Sequence, residues 1–130
     1  MNRFLIKLLS LALLISSASC QGQSGAQVLT PQAFETKLNT LPEKIILDVR
    51  TASEYSRGHL SGAVLIDYYQ RDFSSQLNKL DKTKPVFVYC ASGVRSNSAA
   101  RELIRQGFKE VYDLNGGLSA WVRSGKPIVK

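Results

Sequence analysis

Four short, continuous apolar runs between residues 45 and 114 constrain the fold of this chain more than any other feature. They lie at residues 45–49, 63–66, 85–89 and 111–114. The first of them carries one acid, Asp48, near its end. A short apolar run without alternation is typical of a strand covered on both faces, as in a parallel sheet. We therefore predict four buried strands.

Segments with helical spacing flank these runs. They are predicted at residues 31–39, 72–80, 96–106 and 116–124. Thr30 before Pro31 favours a helix start, and Gly107 suits a helix end. Strands that alternate with helices predict a single α/β domain, with a mostly parallel sheet and helices on both faces. The chain has 130 residues, of which 44% are hydrophobic, so it has room for one such domain.

The first nineteen residues have the layout of a secretory signal. Arg3 and Lys7 precede an apolar run at residues 8–15, and small residues follow at 16–19. The apolar run is short for a bilayer span, which favours a cleaved signal peptide over a permanent transmembrane anchor. We expect a flexible polar linker at residues 20–27 and the folded domain at residues 28–130.

Cys20 ends the stretch SSASC, which resembles the lipobox of bacterial lipoproteins, although Ser17 stands where leucine is usual. The resemblance implies a lipidated Cys20 that tethers the domain to a membrane. Ordinary cleavage that leaves Cys20 free or removes it is the alternative. Either outcome places the protein outside the cytoplasm, as a periplasmic protein or a membrane-anchored lipoprotein.

The formal charge of the whole chain is +7, and it is spread along the sequence. Removal of the signal, with Arg3 and Lys7, leaves 15 basic residues against 10 acidic ones, a charge of +5. No basic cluster is interleaved with aromatic residues, so nucleic acid is not an expected partner. The balance favours small anionic substrates.

Cys90 directly follows the third apolar run and opens a loop of small residues before the next helix. This loop is written CASGVRS and consists of Cys90, Ala91, Ser92, Gly93, Val94, Arg95 and Ser96. Ligands of parallel α/β sheets bind beyond the carboxyl ends of the strands. Gly93 can take a positive φ, which allows successive backbone amides to form an anion-binding nest at the helix N-terminus. The nest and Arg95 favour a thiolate, whereas the plain alternative is a small buried side chain ending a strand.

The loop CASGVRS resembles the active-site loop of the rhodanese family of single-domain sulfurtransferases. The upstream stretch LDVR at residues 47–50, with Glu54-Tyr55 and GHLSGA at 58–63, resembles a second signature of that family. The closing stretch LNGG at residues 114–117, continued by Trp121, Gly125 and Pro127, resembles a third. These landmarks run in family order over nearly the whole mature domain.

The resemblance implies sulfur-atom transfer. The Cys90 thiolate would take the outer sulfur of an anionic donor such as thiosulfate and hold it as a persulfide. A thiophilic acceptor, which could be cyanide, a cellular thiol or a partner protein, would then remove it. The amides of residues 91–96 would stabilise the persulfide and Arg95 would bind the donor. No cofactor or metal is expected, since one histidine and two cysteines provide no ligand cluster.

Four other landmark residues are interpreted as structural support: Asp48, Arg50, Glu54 and His59. Asp48 is expected to hold a loop at its strand end, Arg50 to pair with Glu54, and His59 to align the next strand. Substrate contact by Asp48 and Arg50, and a general-base role for His59, remain open. Ser92 and Ser96 are candidates for hydroxyl donors to the anion, and Ser96 is equally suited to cap the following helix.

Two alternatives to turnover as a sulfurtransferase remain. One is a sulfur carrier or a protein-binding module of the same fold. The other is a phosphatase or arsenate reductase of the related cysteine-loop class, whose loops place five residues between cysteine and arginine. This loop places four there, and no aspartate is an evident general acid, which disfavours that chemistry. A thioredoxin-type dithiol is excluded because no second cysteine stands near Cys90 in sequence.

Overall fold

The computed structural model describes residues 25–130 and contains a five-stranded sheet. The strands are β1 (Gln27–Leu29), β2 (Ile45–Asp48), β3 (Val64–Leu65), β4 (Val86–Tyr89) and β5 (Val111–Leu114). The helices are α1 (Pro31–Thr40), α2 (Ala52–Ser56), α3 (Phe73–Asn78), α4 (Val94–Arg105) and α5 (Gly117–Arg123). The strand order is β1-β5-β4-β2-β3 and every pairing is parallel. The predicted single α/β domain is therefore confirmed.

Helices cover both faces of this sheet, and β4 lies at its centre. On one face Val86 and Val88 belong to a buried cluster with residues of α3 and α4. On the other face Phe87 and Tyr89 belong to a cluster with Phe34 of α1 and residues of α5. All four residues of β4 are buried, which explains why this segment is a continuous apolar run.

Two elements were not predicted from the sequence. The edge strand β1 has three residues and pairs only with β5. The helix α2 has five residues, and its N-terminus has a capping box in which Thr51 and Glu54 bond to each other's backbone amides. Both elements are too short to show a hydrophobic period.

Helix α4 begins at Val94, two residues before the predicted start. Gly93 occupies its N-cap position with a φ of 106°, in the left-handed region that glycine adopts without strain. The interpretation of Ser96 as the N-cap is therefore wrong. Ser96 lies inside the first turn of α4 and is fully buried.

A buried ion pair ends β2. Arg50 Nη2 lies 2.6 Å from Asp48 Oδ2 and donates to the Gly58 carbonyl at 2.7 Å. Asp48 is fully buried and Arg50 is 5% exposed. The expected pair between Arg50 and Glu54 is wrong, because the capping box turns Glu54 away and Asp48 takes the Arg50 guanidinium.

His59 contacts the C-terminal segment and α2. Its backbone exchanges two hydrogen bonds with Val129, both of 2.9 Å. Its ring stacks on Tyr55 with centroids 3.7 Å apart, and Nδ1 lies 3.0 Å from the Tyr55 carbonyl oxygen. These contacts account for the turn at residues 58–59 without any catalytic role.

The predicted signal peptide, the lipidation of Cys20 and most of the linker lie outside the described residues. They stay predictions. Among residues 25–130, no helix has the length and apolar character to cross a membrane.

We expect Arg50→Ala to lower the free energy of unfolding by about 3–5 kcal/mol, because it leaves the buried Asp48 carboxylate without its cation. Urea unfolding measures this change. Arg57→Ala is the matched control, since the Arg57 side chain is exposed and donates only to Ser53 in the neighbouring turn. Its effect should lie within about 0.5 kcal/mol. A loss below about 1 kcal/mol for Arg50→Ala would contradict the role assigned to the pair.

Candidate functional site

Cys90 stands at the carboxyl edge of the sheet, directly after β4, and α5 closes over it. The Leu118 amide donates to the Cys90 carbonyl at 2.8 Å, and the Ser119 amide donates to the Ala91 carbonyl at 3.1 Å. A Cβ at Gly117 would lie 2.6 Å from both of those carbonyl oxygens. Only glycine therefore lets α5 approach the cysteine loop this closely.

The loop turns its amides toward the cysteine sulfur. The Gly93 amide donates to Cys90 Sγ at 3.0 Å. Ser96 Oγ lies 3.5 Å from the same sulfur and also donates to the Gly93 carbonyl at 3.3 Å. Cys90 is 1% exposed, so bulk water does little to stabilise charge on its sulfur. The sulfur sits at the N-terminus of the twelve-residue helix α4, where backbone dipoles favour an anion.

The opposing effects on Cys90 leave its thiol more acidic than usual. Burial alone raises the pKa, since a desolvated thiolate is disfavoured. Hydrogen bonds from the Ser96 hydroxyl and from the amides of Ser96, Gly93 and Ser92 favour the thiolate. Together these bonds outweigh burial, and the pKa of Cys90 lies below its ordinary value. A lowered pKa is what a nucleophilic cysteine requires.

Arg95 is held by a bidentate ion pair with Glu54. Its Nη1 and Nη2 donate to the two carboxylate oxygens at 2.9 and 2.8 Å. The Tyr69 ring lies under its guanidinium at 5.5 Å. Hydrogen bonding to Arg95 holds the pKa of Glu54 at about 2. The same bond, together with the charge of a nearby Cys90 thiolate, raises the pKa of Arg95. The arginine thus lies within electrostatic reach of the sulfur, with its charge shared by Glu54.

The other predicted site residues fall into two groups. Ala91 and Ser92 are part of the loop, and Val94, the first residue of α4, is 75% exposed beside it. Asp48 and Arg50 end the adjacent strand β2 and pair with each other. Within the loop, Ser92, Gly93 and Ser96 therefore supply the groups that act on the Cys90 sulfur, whereas Asp48 and Arg50 support the neighbouring strand end.

Two charged residues near the loop were not singled out from the sequence. Arg123 of α5 lines a cavity of about 390 Å³ together with Arg50 and Ala91. Asp113 of β5 is 2% exposed and lies behind the loop. A carboxylate inside the apolar run at residues 111–114 was the available signal for Asp113. For Arg123 there was none, because a basic residue in the last turn of a helix is common.

No group of three or more histidine, cysteine, aspartate or glutamate side chains suited to a metal ion occurs within residues 25–130. Cys90 is the only cysteine in that range, and its thiol is free. The one thiol of the described residues is thus surrounded by hydrogen-bond donors that favour its ionised form.

Comparison with known proteins places these features in a family. The family model described as the rhodanese-like domain matches residues 30–124. The chain is 43% identical to thiosulfate sulfurtransferase GlpE of Coxiella burnetii, over 59% of this chain and 70% of that protein. It is 31% identical to a sulfurtransferase of Allochromatium vinosum, over 75% and 90% of the two chains.

A solved structure of similar fold is the rhodanese-related protein from Thermoplasma volcanium, with a TM-score of 0.67 and 25% identity. The likeness covers 79% of this chain and 97% of that one. The family match extends over both the cysteine loop and the strands that position it. By sequence and by fold, this chain belongs to the rhodanese-like domain family.

Proposed function

We propose that this protein is a sulfurtransferase that carries a sulfane sulfur on Cys90 as a persulfide. The donor is a small anion such as thiosulfate, and the acceptor is a thiophile, either a thiol, cyanide or a protein. Family membership and relatives named sulfurtransferase support the sulfur chemistry. The observation that carries the proposal is the hydrogen bond of 3.0 Å from the Gly93 amide to Cys90 Sγ.

Sulfur transfer proceeds in two displacements. The Cys90 thiolate attacks the outer sulfur of thiosulfate, the bond between the two donor sulfurs breaks, and sulfite leaves with that electron pair. Cys90 then carries the added sulfur as a persulfide anion. A thiophilic acceptor attacks this outer sulfur, and the Cys90 thiolate is the leaving group. Charge is conserved in each step, and neither step needs a metal or cofactor.

The loop at residues 90–96 stabilises the negative charge both in the thiolate and in the persulfide. The Ser96 hydroxyl and the amides of Ser92, Gly93 and Ser96 act on the thiolate. These groups are fixed by the left-handed turn at Gly93 and by the start of α4, so little reorganisation is needed when charge develops. When the charge moves to the outer sulfur, the remaining amides of residues 91–96 are the available donors.

Arg95 contributes positive charge for the anionic donor. Glu54 balances part of that charge and fixes the guanidinium beside the loop. Two of the five N–H donors of Arg95 are used by Glu54, which leaves others for an anion. The donor is thus attracted to the loop without a large net charge being buried.

A catalytic sulfurtransferase differs from a sulfur carrier or a binding module in its turnover. A carrier takes up one sulfur and releases it only to a dedicated partner, whereas an enzyme makes thiocyanate repeatedly from thiosulfate and cyanide. A phosphatase remains disfavoured by the loop of four residues between Cys90 and Arg95.

The first test is sulfur loading of the purified mature protein. We expect thiosulfate to add the mass of one sulfur atom, since the thiolate attacks the donor directly, and cyanide to remove it as thiocyanate. Intact mass spectrometry and a thiocyanate assay measure both steps. Cys90→Ala should show neither. Absence of the mass gain in wild type, or an equal gain in Cys90→Ala, would refute the persulfide.

The second test separates charge from structure at Arg95. We expect Arg95→Ala to raise KM for thiosulfate roughly tenfold, which corresponds to about 1.4 kcal/mol, because it leaves the Glu54 carboxylate uncompensated beside an anionic donor. Glu54→Gln is the matched variant, since it keeps Arg95 and removes the negative charge. Its KM should stay equal or fall.

Steady-state kinetics measures KM for both variants, with circular dichroism as the control for the fold. An unchanged KM in Arg95→Ala, or the same increase in both variants, would contradict the electrostatic role.

A further inference from the structure

Asp113 is a buried carboxyl group that the proposed mechanism does not yet use. It is 2% exposed, and its Oδ1 makes no hydrogen bond to any described residue. A buried carboxyl oxygen without a partner costs free energy, so its presence calls for an explanation.

The sheet register brings Asp113 to the cysteine. Asp113 pairs with Val88 in the parallel ladder between β5 and β4, so its side chain lies on the same face as those of Val88 and Cys90. This is the face covered by α4. The side chains of Ser96 and Asn97, in the first turns of α4, lie against the carboxyl group.

Ser96 therefore lies between two titratable groups. Its Oγ is 3.5 Å from Cys90 Sγ, and its side chain also faces Asp113. In the structure its hydroxyl donates to the Gly93 carbonyl at 3.3 Å, a long bond. No hydrogen bond joins Ser96 to Asp113 in the structure, so a change in the Ser96 rotamer or in the orientation of the carboxyl group is needed for the serine proton to reach Asp113.

We propose that Asp113 is a positioning residue that accepts the Cys90 thiol proton through the Ser96 hydroxyl and so shares one proton with the cysteine. This inference rests on the proposed role of Cys90 as a thiolate nucleophile. The S–H bond of Cys90 breaks as Ser96 Oγ takes that proton. The hydroxyl proton of Ser96 passes to Asp113 at the same time, so one O–H bond replaces one S–H bond. No electrons are exchanged with another molecule.

The protonated carboxyl then stabilises the thiolate. It donates to Ser96 Oγ, which leaves the serine hydroxyl free to donate to Sγ. An ionised Asp113 has the opposite effect, because it competes for the serine proton and adds a like charge. Burial raises the pKa of Asp113, against the opposing influence of the neighbouring Ser96 and Asn97 side chains, and the pKa of Cys90 is lowered.

The surroundings of Asp113 permit this role. Arg101 on α4 and Asp113 line a second cavity of about 390 Å³, separate from the one at Arg123. Arg101 donates to Asn97 and Ser98, and no ion pair with Asp113 forms among the described residues. The strand β1 on the other side, with sequence QVL, contributes no charged group. Polar side chains, among them Asn97 and Ser98, line part of this cavity, which is large enough for water.

Coupled titration of Cys90 and Asp113 tests the inference without any sulfur donor. The ultraviolet absorbance of the thiolate is followed against pH, with Cys90→Ala subtracted. We expect wild type to titrate in two steps separated by about one pH unit or more, as two strongly interacting groups do. Asp113→Asn should collapse the curve to one step, because the amide cannot take up the proton.

Two further variants test whether Ser96 connects Cys90 with Asp113 and control for general effects of a substitution. Ser96→Ala keeps both titrating groups but removes the hydroxyl between them, and we expect its thiolate curve to narrow markedly. Asp81→Asn removes an exposed carboxylate in the loop before β4, at the opposite edge of the sheet, and should leave the two steps unchanged.

A second readout does not depend on the folding of an Asp113 variant. The NMR shift of the Asp113 carboxyl carbon should titrate in two steps in wild type, and one of them should disappear in Cys90→Ala. A single-step thiolate curve in wild type, or an Asp113 titration that Cys90→Ala leaves unchanged, would overturn the inference. Persulfide loading is scored separately by mass, so proton sharing can fail while sulfur transfer stands.

Discussion

The hydrogen bond from the Gly93 amide to the Cys90 sulfur sets the requirements that the rest of the domain meets. It needs Gly93 in the left-handed region, so that the chain turns back over the sulfur before α4 begins. It needs Cys90 at the end of a fully buried strand, which the apolar run of β4 provides. It also needs Gly117 without a side chain, because α5 donates to the loop carbonyls at a distance that a Cβ would prevent.

Two ion pairs lie around the loop, and they differ in how deeply they are buried. Asp48 and Arg50 are buried together and fix the end of β2 next to the loop. Glu54 and Arg95 are partly exposed, and they tie α2 to the first turn of α4. Asp113 alone lies buried in this region without an ion pair in the described part of the chain, and it lies near Ser96, which contacts the Cys90 sulfur. The groups that contact the Cys90 sulfur are thus neutral: the Gly93 amide and the Ser96 hydroxyl.

Most of the fold, and the proposal of Cys90 as the nucleophile, followed from local patterns. Continuous apolar runs predicted the inner strands. A glycine in a small-residue loop before a helix predicted that backbone amides surround Cys90. The partner of Glu54 could not be predicted, since the capping box that aims it at Arg95 depends on a five-residue helix with no periodic signal. The position of Asp113 required the register between β4 and β5, which no single segment encodes.

The claim that the loop amides hold the transferred sulfur is tested most directly by a crystal structure of the thiosulfate-treated protein. The account predicts one additional sulfur bonded to Cys90 Sγ, lying within hydrogen-bonding distance of backbone amides of residues 91–96. An added sulfur directed away from these amides, or a treated protein whose Cys90 carries no sulfur while donor turnover continues, would contradict it.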